Sequence, residues 1–374
     1  MAGRLRAVPC AEARNNDAYY LEWPGELVRR LPAALARVRQ GLASQIDQVR
    51  FAQFLLFRQA ERLKEYARSR GLHLIGDLPF FVSPRFERCV GQPRAVPADE
   101  QHRPRFVAGV PPDYFSTTGQ LWGNPVYDWD ALRNTGYRWC IDRLRALLAH
   151  VDTVRLDHFR GFAAAWHAPA GALTAQSGQW VPGPGGEFFE AVRREVGGLP
   201  FVAEDLGLIT PDVSALRDQF RLPGTRVLQF GFDGHSDNPH LPDNYISNTV
   251  VYTGTHDNPP TREWYKELPA SQRHFLWRYL KRPEGRSTDA APALIELAWS
   301  SAAALAIVPL QDVLNLGAEA RMNVPGRTDG NWRWRCSEDM LTPTAFQWLY
   351  DLTKTSNRAS FEFNTLPERQ GERP

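Results

Sequence analysis

The 374 residues suffice for one large domain or two ordinary ones, and with 43% hydrophobic residues a sizeable core can be buried. Formal net charge is +2, with Lys and Arg spread among the acids, which argues against nucleic acid or an anionic membrane as the main partner. Cys10, Cys89, Cys140 and Cys336 lie far apart without a C-x-x-C pair; they read as reduced thiols of a cytoplasmic protein, with no disulfide framework and no metal site.

The opening MAGRLRAVPCAEARNN has no apolar core of the kind a signal peptide needs, so no leader is expected. Residues 1–43 read as an irregular or helical segment, broken by Pro24 and Pro32, with a helix over 26–38. From 44 to 70, Ile46, Val49, Ala52, Leu56, Leu63 and Ala67 keep a helical period, and Gly71 caps it. Six apolar, β-rich runs follow: HLIGDLPF from His73, TVRLDHF from Thr153, PFVAEDLG from Pro200, TRVLQFGF from Thr225, TVVYTGTHDN from Thr249 and ALAIVPLQDVL from Ala304. Helical stretches at 137–149, 186–195 and 270–279 precede several of them. The most apolar stretch, 293–310, is interrupted by Glu296, Ser300, Ser301 and Pro309, so it reads as a buried helix running into a buried strand and not as a membrane span.

Near-continuous apolar strands alternating with helices predict a parallel sheet covered on both faces. The expected fold class is α/β, of the (β/α)8 TIM-barrel type, with six of the eight strands countable: strands 3 to 8 present and the first two missing. The expected division is an N-terminal segment 1–43, a partial (β/α) barrel with inserted helices and loops at 44–354, and a polar tail 355–374.

Charged residues gather at the strands' C-terminal ends: Asp77; Arg155, Asp157 and His158; Glu204 and Asp205; His256 and Asp257. One acid in such a place is usually a cap or turn residue, but acids ending three strands suit the mouth of a barrel, where barrel active sites form. Retaining cleavage of a glycosidic bond needs two close carboxyls, one to attack the anomeric carbon and one to protonate the leaving oxygen; a third can stabilise the oxocarbenium-like charge. Side chains alternate along a strand, so Arg155 and Asp157 share a face and Arg155 can keep Asp157 ionised, while an acid at Glu204 would have to be raised by burial. Twelve Trp, eleven Tyr and twenty Phe offer flat faces for sugar rings, although most of these side chains are expected in the core.

VRLDHFRGF, VAEDLG and TGTHDN resemble the three carboxylate motifs of amylomaltases, the 4-α-glucanotransferases of glycoside hydrolase family 77, which is allied to the α-amylases. GDLPFF, VAGVPPDYFSTTGQLWGNPVYDW, EFFEAVR, PGTRVLQF, ALAIVPLQDVL, ARMNVPG and GNWRWR extend the resemblance over most of the chain. It implies Asp157 as nucleophile, Glu204 as acid/base and Asp257 as third carboxylate, with His256 and Arg155 beside the donor sugar and Asp77 in support. Tyr114 would lie on a loop closing over the cleft, Trp122 would form an acceptor-side platform and Phe230 a further aromatic wall. The implied reaction passes part of an α-1,4-glucan or maltooligosaccharide donor to the 4-hydroxyl of a glucose or glucan acceptor, without a cofactor. The number of subunits is left open.

Three departures accompany the resemblance. The family's first two strands and a G-x-G-x-S-P-Y-Q-like segment have no counterpart, which reads as a wrongly assigned start or a gene fragment and would leave a sheet edge unpaired. After GDLPFFV, residues 85–96 replace a pattern like D-S-x-D-V-W-x-N-P-E-L-F; one permitted codon set, read one base later, encodes D-S-S-D-V-W-A-N-P-E-L-F. Residues 84–98 are therefore expected to be translated out of frame, with the pattern resuming at Asp99 and Cys89 carrying no function. Pro259 and Pro260 follow THDN where Asp or Thr is usual, so the loop beside Asp257 is expected to be reshaped. An inactive fragment that at most binds glucan is the main alternative reading. An α-glucan hydrolase is the other, opposed by Trp122 and the closing loop.

Overall fold

The structure, a computed structural model, describes residues 23–83, 104–112, 117–327 and 329–358. Tyr114, the segment 84–98 with its question of reading frame, and most of the polar tail lie outside the described residues. The chain divides into two compact units, 1–220 and 221–374.

In the first unit the helix read over 26–38 is two helices, Gly25–Val28 and Pro32–Gly41. Pro32 has no N–H to give to a preceding turn and holds Leu31 extended (ψ 129°), while Arg30 adopts a left-handed φ of 57°. Helix Ala43–Ser69 matches the apolar period, and Gly71 stops it at a φ of +70°, a conformation that suits glycine. The helix buries only Ile46 and Ala67 among the described residues and leaves Phe51, Phe54, Leu56, Phe57, Leu63 and Tyr66 on the surface.

Seven strands follow in this unit among the described residues: β1 Ile75–Leu78, β2 Phe106–Val110, β3 Gln120–Pro125, β4 Thr153–Leu156, β5 Ala164–Pro169, β6 Gln179–Pro182 and β7 Phe201–Ala203. β1, β4 and β7 pair in parallel, as their apolar runs predict. β2, β3, β5 and β6 form an antiparallel sheet in the order β3-β2-β5-β6, within a region read from the sequence as inserted helices and loops. Helix Arg138–Leu148 precedes β4 and helix Gly185–Val196 precedes β7. The second places Phe188, Phe189, Ala191 and Val192 on one buried face.

The packing between these layers is aromatic. Phe80 stands edge-on to Phe81, Tyr127 and Phe162 with centroids 4.7–5.6 Å away, and Phe162 stacks on Phe188 at 5.0 Å. Gly161 lies against Phe80 so closely that a Cβ would come within 2.5 Å of the ring. The turn carrying Asp157 and His158 is thereby pressed onto this core.

The second unit contains β8 Gly224–Val227, β9 Thr249–Tyr252 and β10 Leu305–Ile307, paired in parallel in that order. Helices Thr261–Glu267, Ala270–Tyr279 and Ser287–Ser300 join β9 to β10. The stretch 293–310 is helix and then strand, as read, except that β10 is half-buried instead of fully enclosed. Leu294, Ile295 and Ala298 pack with Val251, Trp264 and Trp277 in this unit's core. Among the described residues no helix is long and apolar enough to cross a membrane.

Candidate active site

The register of the first unit's parallel strands brings four sequence-predicted residues together. Asp77 of β1 lies beside Arg155 of β4, and Leu156 beside Ala203 of β7, so Asp157 and Glu204 each stand one residue past the end of adjoining strands. The ladder continues past both ends: Asp157 N–H donates to Leu78 O (3.2 Å), Glu204 N–H to Leu156 O (3.0 Å) and Phe159 N–H to Glu204 O (3.0 Å). Neighbouring strands run about 4.8 Å apart, so this register places the backbones of the two acids side by side.

Arg155 is buried and joins two of these carboxylates. Its Nη1 donates to Asp77 at 2.8 and 2.9 Å and to Asp157 Oδ1 at 3.1 Å. Burial disfavours the guanidinium charge, but Asp77, Glu204 and Asp157 outweigh it, so the pKa of Arg155 is raised and the group stays charged.

Glu204 is driven the other way. Removal from water pushes its carboxyl up to about 8; Arg155 pulls it down, Asp157 pushes it up, and two backbone N–H groups pull it down. Those donors are His158, 2.6 Å from Oε2, and Leu206, 3.0 Å from Oε1. Glu204 is thus largely protonated at neutral pH, next to a carboxylate bound to Arg155. This is the division of labour expected of an acid and a nucleophile.

His158 takes a left-handed φ of 48°, which turns its amide toward Glu204. Burial, helped by Arg160, lowers the pKa of its ring to about 4, so the imidazole is neutral. Trp122 on β3 meets that ring edge-on at 4.9 Å, also touches Phe81, and keeps 38% of its surface exposed. Trp122 therefore lies beside the turn that carries Asp157.

In the second unit, His256 and Asp257 occupy the loop after β9. Asn323 Nδ2 donates to Asp257 Oδ1 at 2.6 Å, and Arg321 Nη2 donates to Asp257 O at 3.0 Å. His256 Nε2 lies 3.5 Å from Asp257 Oδ2, and its ring is 5.2 Å from that of Trp332. Phe230 is exposed and lies edge-on to His240. Pro259 offers its carbonyl to Gln229 Nε2 at 3.0 Å, and Pro260 stands just ahead of helix Thr261–Glu267, where no N–H is needed. Asn323, Arg321 and Trp332 were not singled out from the sequence, although the strings ARMNVPG and GNWRWR contain them.

Among the described residues no group of three or more His, Cys, Asp or Glu side chains could hold a metal ion.

The profile of glycoside hydrolase family 77, described as 4-alpha-glucanotransferase, matches residues 7–342. The chain belongs to this family. A 4-alpha-glucanotransferase from a Synechocystis species is 47% identical over 330 residues, which are 87% of this chain and 65% of that protein. The enzyme of the same name from Thermus thermophilus is 47% identical over 326 residues, 86% of this chain and again 65% of its own. The chain thus spans just under two thirds of the length of these two relatives. An amylomaltase from Streptococcus agalactiae, solved in complex with acarbose, superposes with a TM-score of 0.91 at 32% identity, covering 96% of this chain and 72% of that one. The family fold is α/β of the TIM-barrel type, and the six parallel strands described above are part of it.

Proposed function

We propose that the chain is a 4-α-glucanotransferase that moves part of an α-1,4-glucan to the 4-hydroxyl of an acceptor glucan or glucose by a retaining double displacement. The observation that carries this reading is Glu204, raised to about 8 and bonded through Oε2 to the residue that follows Asp157. The names of the relatives in its family support the same reaction.

In the first step Asp157 attacks the anomeric carbon while Glu204 gives its proton to the departing glycosidic oxygen. The bond to the leaving glucan breaks as the glycosyl–Asp157 ester forms. Ionised Glu204 then takes the proton from an acceptor 4-hydroxyl, whose oxygen attacks the same carbon and releases Asp157. Arg155, itself held by Asp77, donates to Asp157 and so aims it before attack. Asp257 and His256 keep, by motif, the roles of third carboxylate and donor-sugar contact, and Phe230 that of an aromatic wall. Tyr114 keeps its role on the closing loop.

Trp122 supports transfer over hydrolysis, since an exposed indole beside the reacting turn can stack an acceptor sugar and displace water. Cytoplasmic residence is our reading of Cys140 and Cys336, which form no disulfide.

Incubation with maltotriose tests the proposal. Glucose together with a ladder of longer oligosaccharides supports transfer; shorter sugars alone would mean hydrolysis, and unchanged maltotriose would mean an inactive chain. Asp157→Asn should abolish turnover, and a covalent glycosyl-enzyme still formed by that variant would overturn the choice of nucleophile.

A further inference from the structure

Asp312 takes no part in the reaction above, yet it is among the most enclosed acids of the second unit, at 1% exposure. It sits in the short helix Leu310–Val313 that follows β10. Its Oδ2 accepts from Thr253 Oγ1 at 2.7 Å and from Thr261 Oγ1 at 2.6 Å, and its Oδ1 accepts from Thr261 N–H at 2.7 Å.

Those two threonines are the feet of one loop. Thr253 follows the last residue of β9, and Thr261 opens helix Thr261–Glu267. Between them run residues 254–260, which include His256 and Asp257. Gln229 reinforces the same base: its Nε2 donates to Thr261 Oγ1 (3.2 Å) and Pro259 O (3.0 Å), and its backbone N–H donates to Thr253 O (3.2 Å). Higher in the loop, Asn258 Oδ1 accepts from both Thr255 N–H and Thr255 Oγ1 at 2.9 Å. A buried carboxylate satisfied by three donors at two chain positions fixes the distance between those positions, because each lost bond strands a desolvated group.

We infer that Asp312 is a positioning residue: it clamps both feet of loop 254–260 and so sets the orientation of Asp257 and His256. The inference rests on the proposed glucan transfer for its effect on rate, though not for its effect on the loop. A misplacement of about 1 Å at a reacting group can cost on the order of a hundredfold in rate, so loosening the clamp should lower kcat much more than it raises KM.

The test uses the full chain and three variants, Asp312→Ala, Asp312→Asn and Thr253→Val. Hydrogen exchange of the amides in 254–260 is followed together with maltotriose transfer. Asp312→Ala should speed exchange across the loop and lower kcat by roughly tenfold or more at nearly constant KM. Asp312→Asn keeps an oxygen for Thr261 N–H and offers an amide to the hydroxyls, so it should recover most of both. Thr253→Val removes one donor from a foot of the loop without changing side-chain size much, and should give an intermediate loop. Unchanged exchange at 254–260 in a folded Asp312→Ala or Thr253→Val chain would overturn the clamp. So would a loss of stability with kcat intact. A wild-type chain without transfer would sink the proposed reaction alone, because the exchange measurement would still decide the clamp.

Discussion

The backbone N–H of His158 donates to Oε2 of Glu204 at 2.6 Å, so the turn that carries Asp157 also holds Glu204. A carboxyl accepting two backbone N–H bonds would ordinarily be a strong acid. Here loss of solvent outweighs both bonds and the pull of Arg155, and the group rises to about 8. The fold thus spends stability to keep a proton on Glu204, where the proposed first step would use it.

That cost has a defined pH window. The folded-state pKa of Glu204 lies above its ordinary value of 4.5, so between 4.5 and about 8 the folded chain holds a proton that the unfolded chain has released. Stability therefore falls as pH rises through this window, by at most about 1.4 kcal/mol per pH unit, and the loss persists above it. Glu204→Gln has nothing to ionise. Its stability relative to wild type, from denaturant unfolding, should increase steadily from pH 5 to pH 8. Gln would also turn an N–H₂ toward one of the two backbone donors, but that adds a constant offset and leaves the slope untouched. A difference independent of pH would mean that Glu204 titrates normally.

Arg155 gives a second expectation. Its Nη1 serves Asp77 and Asp157 at once from a buried position, so removing it leaves two acids without their shared cation. Arg155→Ala should lower kcat on the order of a hundredfold, and Arg155→Lys, whose ammonium must reach both acids from a shorter stem, should recover only part of that. Deletion of Arg155 also removes the charge that holds Glu204 down, so the basic limb of any remaining activity should move to higher pH. A limb that stays in place would show that Arg155 does not act on Glu204.

How much of this was legible differs between the two kinds of strand. The parallel strands announce themselves, because strands buried on both faces must be nearly continuous in apolarity; FVA and TVVY are unmistakable, TVRL departs from the rule at Arg155, and the acids that end them stand out by contrast. β2 and β3 do not, since FVAGV and QLWGNP carry Gly, Asn and Pro that mark turns in a local reading, and their pairing with each other and with β5 supplies what the local pattern lacks. The acids were visible, and so was Arg155 as the partner of Asp157, but the long-range holders of the second unit were not. Asn323 grips Asp257 across 66 residues and Asp312 reaches Thr253 across 59, distances over which periodicity carries no information.

On the proposed function, Trp122 should favour transfer over hydrolysis. The indole leaves 38% of its surface open while its edge rests on His158, so truncation removes a stacking face without opening the core. Trp122→Ala should keep the cleavage step within a few-fold, while free glucose rises relative to longer oligosaccharides at low acceptor concentration. Ring–sugar stacking contributes on the scale of other aromatic contacts, about 1 kcal/mol, so the shift in product ratio should be roughly fivefold. High acceptor concentration should restore transfer. A ratio that ignores acceptor concentration would remove Trp122 from the acceptor side.

Asn323 is the most direct holder of Asp257, 2.6 Å from Oδ1, and Arg321 ties the backbone of the same residue. Asn323→Ala deletes one donor and should lower kcat about tenfold, in line with the loss of one oriented hydrogen bond to a charged group. Asn323→Asp keeps the shape but replaces the donor with a second acid, and two carboxylates at that distance cannot both ionise comfortably. Its activity should therefore fall further than that of the alanine variant at pH 7 and recover as pH is lowered and the added acid takes up a proton, until the loss of the nucleophile's own charge sets the limit. Alanine, with no charge to relieve, should show no such recovery. Parallel pH profiles for the two variants would mean that Asn323 merely fills space beside Asp257, and that the orientation of Asp257 is set by Arg321 and the loop alone.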